Sequence, residues 1–455
     1  MTNIVQKMLD EGIEEHRAGN HKKAAEIYHL ILNKEPFNPG ILYLLGGIAV
    51  RQGLNGLGIN LLTTSLQIKP SSEVCCALGC AYKAEGFLDE SNHFFEEGLK
   101  IHRTSELYNN LASNLSDHGQ PEQALEFCEK ALELEPDNGS ALWNKALALL
   151  TQRKWPEAWK LHEYRFHPNV ATTSHRRAID APLWEGQYVD RLFIHGEQGI
   201  GDEIMFMSML SEACERAKEV VVEVEPRLIE LVERSFPNVA VYGNVQAVLA
   251  HEKPFDAVVA MGSLGMFFRQ ERTGFPGHSY LKADPERVEY WRRQFAMQGP
   301  RPFVGVSWQG GTIGTRIQQR SVMPANLKFA KKGTAISLQY GKDAEAQAKE
   351  QGFLFYPESI GKDLDELAAM ICACDMVVTV AQTVVHLAGA LGVDTHVLTP
   401  KGSSWRYGQG TGYDMPWYGS VYLHRQTVDG SWANPLEAAK QAVNKVARRI
   451  QNADK

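Results

Sequence analysis

The sequence lacks long apolar runs and a surplus of basic residues, and both absences narrow its function. No stretch approaches the roughly 18 consecutive apolar residues of a membrane helix, and the start, MTNIVQKMLDEGIEEH, lacks the basic-then-apolar order of a signal peptide. There are 47 Lys and Arg against 54 Asp and Glu, a formal net charge of −7. Proteins that bind nucleic-acid backbones carry a basic surplus. We therefore expect a cytoplasmic protein with no integral membrane segment and no nucleic-acid partner.

Cysteine and histidine patterns typical of metal sites are also lacking. The seven cysteines are an odd number, and Cys372-Ala-Cys374 is too close for CxxC spacing. The run from His162 to His167 is near the HExxH zinc signature, but its histidines are at i and i+5 and do not share a helix face. Asp363-Leu-Asp365 opens a predicted helix, where acidic residues serve as caps. We expect reduced thiols, no metal, and a solvated helix end at His162.

Common nucleotide and hydrolase signatures are incomplete. The dinucleotide fingerprint GxGxxG fails because Ile204 follows Gly201 by three residues. Neither Gly341-Lys342 nor Gly361-Lys362 has the upstream glycine of a P-loop, and Gly262-Ser263-Leu264-Gly265 lacks the GxSxG spacing. These absences argue against a dinucleotide enzyme, a P-loop nucleotidase and a simple serine hydrolase.

The first part of the chain repeats with a fixed period. Small residues recur at intervals of 34, 33, 33 and 34 in one column, and two further columns keep the same step. The columns are Gly12, Gly46, Gly79, Ala112 and Ala146; Gly19, Gly53, Gly86 and Gly119; and Ala24, Gly58, Ser91, Ala124 and Ala158. Small residues let two helices approach closely, glycine permits a tight turn between them, and Pro36, Pro70 and Pro136 close units.

This pattern resembles the tetratricopeptide repeat and implies a helical solenoid over residues 1–167. Such solenoids present a concave face to extended peptides, which implies a protein partner. A dimerisation arm, and hence a homo-oligomer, or a rigid spacer are the alternatives.

After a Thr-, Ser-, Arg- and Pro-rich linker at 168–187, short apolar runs alternate with helical patterns. The predicted strands are 191–195, 220–224, 239–242 and 256–261 in one set, and 303–308, 335–338, 376–380 and 395–398 in another. The alternation predicts two parallel α/β halves, 188–298 and 299–455. Their ligand sites are expected at the carboxyl ends of the strands, facing each other across a cleft.

The α/β region resembles heptosyltransferase-like GT-B glycosyltransferases in an ordered set of motifs. The motifs are His195-Gly-Glu-Gln-Gly-Ile-Gly-Asp202; Val304-Gly-Val-Ser-Trp308 with Arg320-Ser321; Val377-Val-Thr-Val380 followed by His386-Leu-Ala-Gly-Ala-Leu-Gly392; and Trp405-Arg406-Tyr407 followed by Pro416-Trp417-Tyr418. The whole chain resembles bacterial proteins that fuse tetratricopeptide repeats to such a transferase, an architecture shared with protein O-GlcNAc transferases and flagellin glycosyltransferases. The resemblance implies an α-helical tetratricopeptide solenoid followed by an α/β GT-B fold of two Rossmann-like halves. The first half would face the acceptor and the second half the nucleotide sugar.

The resemblance also implies roles for residues of the first half. Gly199 and Gly201 form a glycine loop whose backbone N–H groups precede a helix. Asp202 corresponds to the catalytic base, although an aspartate at a helix start is also a preferred cap, worth about 1 kcal/mol. Glu197 and Glu203 are alternative bases.

In the second half, the resemblance implies a set of residues for the donor. The candidates are Arg316, Arg320, Gln339, Tyr340, Gln382, Thr383 and His386. The arginines would bind the diphosphate and stabilise the leaving nucleotide, with Arg320 favoured by its Arg-Ser context. Gln339 and Tyr340 would form the wall that holds the nucleoside, or else ordinary loop surface. The remaining three open a helix whose N–H groups could hold the diphosphate, with a packed helix histidine as the alternative for His386.

One departure from the family pattern affects the predicted function. Relatives commonly carry aspartate where this chain has Ala381, the position at which heptosyltransferases contact the donor sugar. The prediction is an inverting, metal-independent transferase that moves sugar from a nucleotide-sugar donor to a protein Ser or Thr hydroxyl, with no further cofactor. The repeats would recruit the acceptor, such as flagellin or another surface-appendage protein. The alternatives are a non-catalytic adaptor with a degenerate transferase domain, and a transferase acting on a lipid-linked or free saccharide.

Overall fold

The chain begins with a series of helices joined by short turns in this computed structural model. The structure describes residues 2–170, 172, 174–311, 317–357, 361–410, 412 and 414–453. The helices are α1 (Thr2–Arg17), α2 (His21–Leu32), α3 (Pro39–Arg51), α4 (Asn55–Ile68), α5 (Ser72–Ala84), α6 (Leu88–Ile101), α7 (Ser105–Asp117), α8 (Pro121–Leu134), α9 (Gly139–Thr151) and α10 (Trp155–His162). They confirm the predicted N-terminal solenoid of tetratricopeptide-like helices.

The small-residue column is explained by the close packing of each helix on the next. A Cβ atom added to Gly79 of α5 would lie 2.3 Å from the ring of Phe95 in α6. One added to Gly46 of α3 would lie 2.7 Å from Leu62 in α4. Carbon atoms do not approach so closely in a packed interior, so these positions require a minimal side chain.

The glycines at the turns adopt the left-handed conformation that suits them. Gly19, Gly53, Gly86 and Gly119 have φ angles of 81°, 77°, 86° and 75°. Each glycine N–H bonds to the carbonyl three residues back, and the next N–H bonds to the carbonyl five residues back. This arrangement ends a helix without steric strain only at glycine. The corresponding turn of the next helix pair, between α9 and α10, has Arg153 at the same position with a φ of 61°.

Side-chain caps form a further column that follows the repeat. Asn38, Ser71 and Thr104 each accept a hydrogen bond from the backbone N–H three residues later, at 3.2 Å. Asn138 accepts one from Ala141 at 3.0 Å. A cap of this kind stabilises a helix by about 1 kcal/mol. The first helix of successive pairs is therefore fixed at its start by sequence-local bonds.

The described chain forms two units, Met1–Ala148 and Leu149–Lys455. Helix α10 belongs to the second unit, where Trp159 is buried and donates from Nε1 to the carbonyl oxygen of Arg269 at 2.8 Å. The residues that cover α10 are distant in sequence. The helical period alone could not reveal them.

The prediction of a solvated helix end at His162 is wrong. His162 and Arg165 are both buried, and Arg165 donates two hydrogen bonds to the carboxylate of Glu197 at 2.6 and 2.7 Å. Burial, and then the positive charge of Arg165, lower the pKa of His162. The spacing of the two histidines shows that they do not share a helix face. It does not predict that the carboxylate of Glu197, from another element, pairs with Arg165 beside His162.

The second unit contains two sheets within its described residues. One sheet has the order β3-β2-β1-β4, with parallel strands β1 (Val189–His195), β2 (Ala217–Glu223), β3 (Ala240–Tyr242) and β4 (Ala257–Ala260). The other has the order β6-β5-β7-β8-β10-β9, with β5 (Phe303–Ser307), β6 (Thr334–Ser337), β7 (Met376–Val380), β8 (Thr395–Thr399), β9 (Asp414–Met415) and β10 (Tyr418–Arg425). Only β9 runs antiparallel to its neighbour within the described part of this sheet. The mixed α/β character predicted for this region is confirmed.

Helices connect and cover the strands of both sheets. They are α11 (Ile200–Phe206), α12 (Leu210–Cys214), α13 (Ile229–Ser235), α14 (Val245–His251), α15 (Gly265–Phe268), α16 (Pro285–Gln298), α17 (Ala344–Gln351), α18 (Leu364–Ala373), α19 (Thr383–Ala390) and α20 (Ala433–Ala453). No described helix combines the length and hydropathy that crossing a membrane would need.

Strand prediction succeeded best where a strand is buried on both faces. All five residues of β7 are buried, and its bounds match the prediction because such a strand reads as a continuous apolar run. The prediction missed β9, β10 and α20. Along β10 buried and exposed residues are mixed, so no continuous apolar run marks it.

Candidate active site

The glycine loop joins β1 to α11 and brings α11 close to α19. Gly199 is the residue that caps α11, and its carbonyl oxygen accepts hydrogen bonds from the N–H groups of Asp202 and Glu203 at 2.8 and 3.1 Å. A Cβ atom on Gly201 would lie 3.1 Å from the ring of His386 in α19. The carboxyl end of β1 therefore faces the helix that follows β7.

The interpretation of Asp202 as a helix cap is wrong, because Gly199 is the cap and Asp202 lies within the first turn. The Asp202 carboxylate instead accepts a hydrogen bond from Nε of Arg406, a residue of the other α/β half. Arg406 also donates to the side chains of Ser404 at 2.6 Å and Gln198 at 3.2 Å.

Gln198 has a φ of 64°, an unusual backbone conformation for a residue with a Cβ atom. Such conformations cost roughly 1–3 kcal/mol and occur often at functional sites. The strained residue, the carboxylate of Asp202 and the guanidinium of Arg406 thus form one polar cluster.

The two alternative bases have very different surroundings. Glu197 is buried between Arg165 and the N–H of Gly262, which donates at 2.9 Å. Although burial opposes ionisation, Arg165 holds the pKa of Glu197 below its usual value. Glu197 is therefore a structural anion.

Glu203 has the opposite character, because it lacks a direct cationic partner among the described residues. Its Oε2 accepts a hydrogen bond from the N–H of Glu225 at 2.8 Å. Burial raises its pKa to about 7, aided by the nearby acidic residues Glu225 and Glu223. Glu203 can therefore exchange a proton near neutral pH, and it remains the alternative base.

In the second half, Arg320 lies beside the start of α19. It donates from Nη2 to the carbonyl oxygen of Ala381 at 2.5 Å, and Ala381 itself is buried at the end of β7. Arg316, the other candidate cation, lies outside the described residues. One of the two predicted arginines is thus placed next to the predicted diphosphate position.

Gln339 and Tyr340 differ in exposure and bonding. The side-chain oxygen of Gln339 accepts hydrogen bonds from the N–H groups of Trp308 and Gln309, each at 2.9 Å. Its side-chain nitrogen donates to the carbonyl oxygens of Gln309 and Tyr340. The alternative of ordinary loop surface is therefore wrong for Gln339, which ties β5 to β6, whereas Tyr340 is 42% exposed.

Gln382 caps α19 by position but makes no side-chain capping bond. The residue is 5% exposed, and its side-chain oxygen and nitrogen have no hydrogen-bond partner within the described part of the chain. A buried amide without partners is unfavourable by about 1–3 kcal/mol. Together with Thr383, the first residue of α19, it makes this helix start a place where a polar ligand would be stabilised.

His386 is packed against aromatic residues of the second half. Its Nδ1 lies 3.1 Å from the hydroxyl of Tyr418, and its ring centroid lies 6.0 Å from that of Tyr407. Burial, and then Arg406 and Arg320, lower its pKa to about 3. His386 is consequently neutral and contributes no positive charge to the cluster.

The acidic pair at the start of α18 has structural partners. Asp363 accepts hydrogen bonds from the N–H groups of Asp365 and Glu366 at 2.9 and 3.0 Å, as predicted for a helix cap. Asp365 accepts two from Arg234 at 2.5 and 2.7 Å. Across the described residues, no cluster of three or more His, Cys, Asp or Glu side chains has a geometry suited to a metal ion.

The sequence did not assign a role to Arg406, Gln198 or Arg153. Arg406 stands in one of the motifs on which the resemblance was based, but nothing in that motif indicates that Asp202 is its partner. Gln198 and Arg153 adopt positive φ angles. The absence of glycine at the fifth turn is the one sequence signal that could have singled out Arg153.

Comparisons with known proteins identify the repeats and one relative that extends into the α/β region. A family model described as the tetratricopeptide repeat matches residues 105–138. The chain is 32% identical over 408 residues to Protein FlbA of Caulobacter vibrioides (strain ATCC 19089 / CIP 103742 / CB 15), covering 82% of this chain and 67% of that protein.

Solved structures resemble the chain over a little more than a third of its length. MamA is 19% identical, covering 38% of this chain and 98% of that one, with a TM-score of 0.32. A thermophilic tetratricopeptide protein of Thermus thermophilus is 18% identical, covering 36% of this chain and 91% of that one, with a TM-score of 0.33.

Proposed function

The chain belongs to the family of Protein FlbA, and we propose that it is an inverting, metal-independent glycosyltransferase with a GT-B fold. It would move a sugar from a nucleotide donor to a Ser or Thr hydroxyl of a protein. The observation that carries the proposal is the cluster between the two sheets, where Asp202 and Arg406 lie beside the α19 start and Arg320. A carboxylate facing a cationic helix start suits proton removal on one side and phosphate binding on the other.

In the proposed reaction, Asp202 accepts the proton of the acceptor hydroxyl as the hydroxyl oxygen attacks the anomeric carbon. The new carbon–oxygen bond forms on the face opposite to the leaving nucleotide, whose bond to the same carbon breaks. Arg320 and the N–H groups at the start of α19 bind the departing diphosphate charge. Neutral His386 contributes packing, and Arg406 holds the Asp202 carboxylate in place.

The unpaired amide of Gln382 supports a donor site at α19. Its buried oxygen and nitrogen could bond to the diphosphate or to a sugar hydroxyl, which would remove an unfavourable feature of the free protein. The nucleoside would lie toward Tyr340, whose side chain is partly exposed near the end of β6.

The repeats provide the basis for a protein acceptor in this proposal. A helical solenoid offers a long surface for an extended polypeptide, whereas a small saccharide would need far less. The proposed acceptor is a surface-appendage protein such as flagellin, modified in the cytoplasm.

Donor binding tests the proposal directly. Thermal shifts with ADP-, UDP-, GDP- and CMP-sugars would identify the nucleotide, and calorimetry would then compare variants. Arg320→Ala should weaken binding by about 1.5–3 kcal/mol because a charged hydrogen bond is lost. Arg448→Ala, which removes an exposed arginine of α20, is the charge-matched control.

Gln382→Met provides a second and independent readout. It removes the unpaired amide at similar length, so the free protein should be no less stable while donor affinity falls. No thermal shift with any of the four donor classes would contradict the proposed function. Unchanged affinity in both variants would contradict the donor site.

A non-catalytic adaptor is the second candidate, and Ala381 is the observation that favours it. The end of β7 carries a buried alanine rather than an acidic side chain, so the donor sugar lacks that contact. Donor binding without donor turnover in the presence of the acceptor would support the adaptor over the enzyme.

A further inference from the structure

The turn between α9 and α10, within the fifth helix pair, keeps the backbone geometry of the turns within the four preceding pairs. It does not keep their glycine. Arg153 has a φ of 61°, and it occupies the position that Gly119 and its equivalents hold in earlier turns. Its N–H bonds to the carbonyl of Leu150, and the N–H of Lys154 bonds to that of Leu149, which is the bonding pattern of the glycine turns. Glycine would fit this backbone without strain, so the arginine side chain needs another explanation.

The arginine side chain reaches β9 and the loop that follows β8. Arg153 donates from Nη1 to the carboxylate of Asp414 at 3.1 Å and from Nη2 to the carbonyl oxygen of the same residue at 3.3 Å. A Cβ atom on Gly408 would lie 3.3 Å from Nε of Arg153. Glycine at position 153 could make none of these contacts.

The loop in question carries residues of the candidate active site. We call residues 400–410 the Arg406 loop. Within it, Arg406 binds Asp202, and Tyr407 packs near His386. Arg425 of β10 holds the same loop from a second side, donating to the carbonyl oxygens of Tyr407 at 2.5 Å and Gly408 at 3.1 Å.

The loop is also anchored through its tryptophan. Trp405 is 9% exposed, and its ring centroid lies 5.9 Å from that of Trp159 in α10. The chain segment from Arg153 to Trp159 therefore contacts the Arg406 loop at one place and its β9 end at another. Removing Arg153 would eliminate one of the two arginine contacts near the β9 end, while leaving those of Arg425 and of the tryptophan.

We propose that Arg153 is a positioning residue, which replaces the turn glycine in order to hold the Arg406 loop against Asp202. The inference rests on the proposed function for its effect on turnover. The contacts through which Arg153 restrains the Arg406 loop are a property of the fold and do not depend on that function. Arg153 touches neither the donor nor the acceptor in this proposal, and it acts through Asp414, Gly408 and the Arg406 loop.

The test substitutes Arg153→Gly, which restores the residue of the other turns. Turnover should fall by about 10- to 100-fold, the range expected when a catalytic group is misplaced by up to an ångström. Donor affinity should stay unchanged, because Arg320 and α19 hold the donor. Hydrogen exchange in the Arg406 loop should become faster. A residue that only stabilises the fold would not separate turnover from donor affinity in this way.

Two companion variants separate the side chain from the backbone. Arg153→Ala keeps the Cβ atom at positive φ but removes the contacts, so it should lose turnover as Arg153→Gly does while being less stable. Asp414→Asn removes the charged partner and should act in the same direction. Lys440→Ala is the control, because it breaks an ion pair of similar length, 3.0 Å against 3.1 Å, within α20.

The outcomes distinguish this inference from the proposed function. If the wild-type protein turns over a donor and Arg153→Gly does so equally, Arg153 does not position the site. If the wild-type protein has no turnover, the proposed function fails, and loop exchange alone decides the inference: faster exchange supports it and unchanged exchange overturns it. Equal losses in Arg153→Gly and Lys440→Ala would also overturn it.

Discussion

The two units of this protein are organised by interactions of very different range along the sequence. In the first unit, Asn138 donates to the side chain of Ser105 at 2.9 Å, and Lys83 donates to Ser113 at 2.7 Å. These partners are about one repeat apart. In the second unit, Asp202 pairs with Arg406 and Arg153 with Asp414, which lie 204 and 261 residues apart and are related by no repeat.

This difference indicates how each unit tolerates change. A solenoid is stabilised by similar contacts between neighbouring repeats, so losing one contact has a local and moderate effect. The α/β unit depends on a few buried polar pairs whose members come from separate elements. Removing one member leaves the other charge with fewer partners in a largely buried place, which is unfavourable.

Removing the repeats should give the largest functional effect. Deletion of residues 1–138 leaves α9 whole, which is needed because α9 crosses the boundary between the units. Modification of a protein acceptor should be lost while donor binding persists, because tethering raises the acceptor concentration near the site. Intact-protein mass spectrometry of a co-expressed flagellin-like acceptor would measure its modification, and calorimetry would measure donor binding.

Circular dichroism of the truncated protein would check that the α/β unit is folded. Equal modification by the full-length and truncated proteins would defeat recruitment and favour a spacer or dimerisation role for the repeats.

Asp202→Asn should reduce turnover by about 10²- to 10⁴-fold, the usual contribution of a general base. Donor affinity measured by calorimetry should change little. Asp363→Asn is the matched control, because Asp363 is a true helix cap and asparagine caps equally well.

Near-wild-type turnover in Asp202→Asn would move the base role to Glu203. The pH dependence of turnover would then identify Glu203 as the base. A base with a pKa of about 7 is deprotonated above that pH, so turnover would rise as the pH increases through 7.

Glu197→Gln tests the second unit through its stability, at a buried ion pair between separate elements. The substitution removes the negative charge that accepts two hydrogen bonds from the buried guanidinium of Arg165, while the Glu163 carboxylate stays at 2.7 Å, so unfolding should become easier by about 1.5–3 kcal/mol. Denaturant titration monitored by tryptophan fluorescence would measure the change, since Trp159 and Trp405 lie in the same unit. A change below about 1 kcal/mol, the range of exposed ion pairs, would show that the pair is unimportant.

Asn138→Ala tests the local side and should have the smallest effect. Loss of the cap on α9 should reduce stability by about 1 kcal/mol. Asn138→Asp keeps the capping oxygen but loses the amide that donates to Ser105, so its stability should lie between those of wild type and Asn138→Ala in the same titration. A loss as large as that of Glu197→Gln would break the contrast between the two units.

Sequence reasoning worked where residues act on near neighbours. The glycine column predicted the turns because a positive φ requires a residue without a Cβ atom, and Gly19 to Gly119 all adopt one. Sequence reasoning failed at His162, which was predicted to be solvated but is buried in the structure. The covering side chain, Arg165, is close in sequence, but its partner Glu197 is on another element.

The candidate site shows the same division. Gly199, Gly201 and Asp202 were identified from a contiguous motif, and the structure places them at the junction of β1 and α11. Whether Asp202 caps a helix or pairs with a cation could not be read from that motif. The answer depends on Arg406, which approaches only when the second sheet has formed.

The sequence by itself determined the repeat period, the turn glycines and most strands of the α/β region, because the period recurs from unit to unit and the other two follow from residues a few positions apart. Only the tertiary structure decided which charges are paired: Asp202 with Arg406, Glu197 with Arg165, and Arg153 with Asp414. These pairs form where separate elements pack together, and their energies depend on burial and geometry that no linear pattern records.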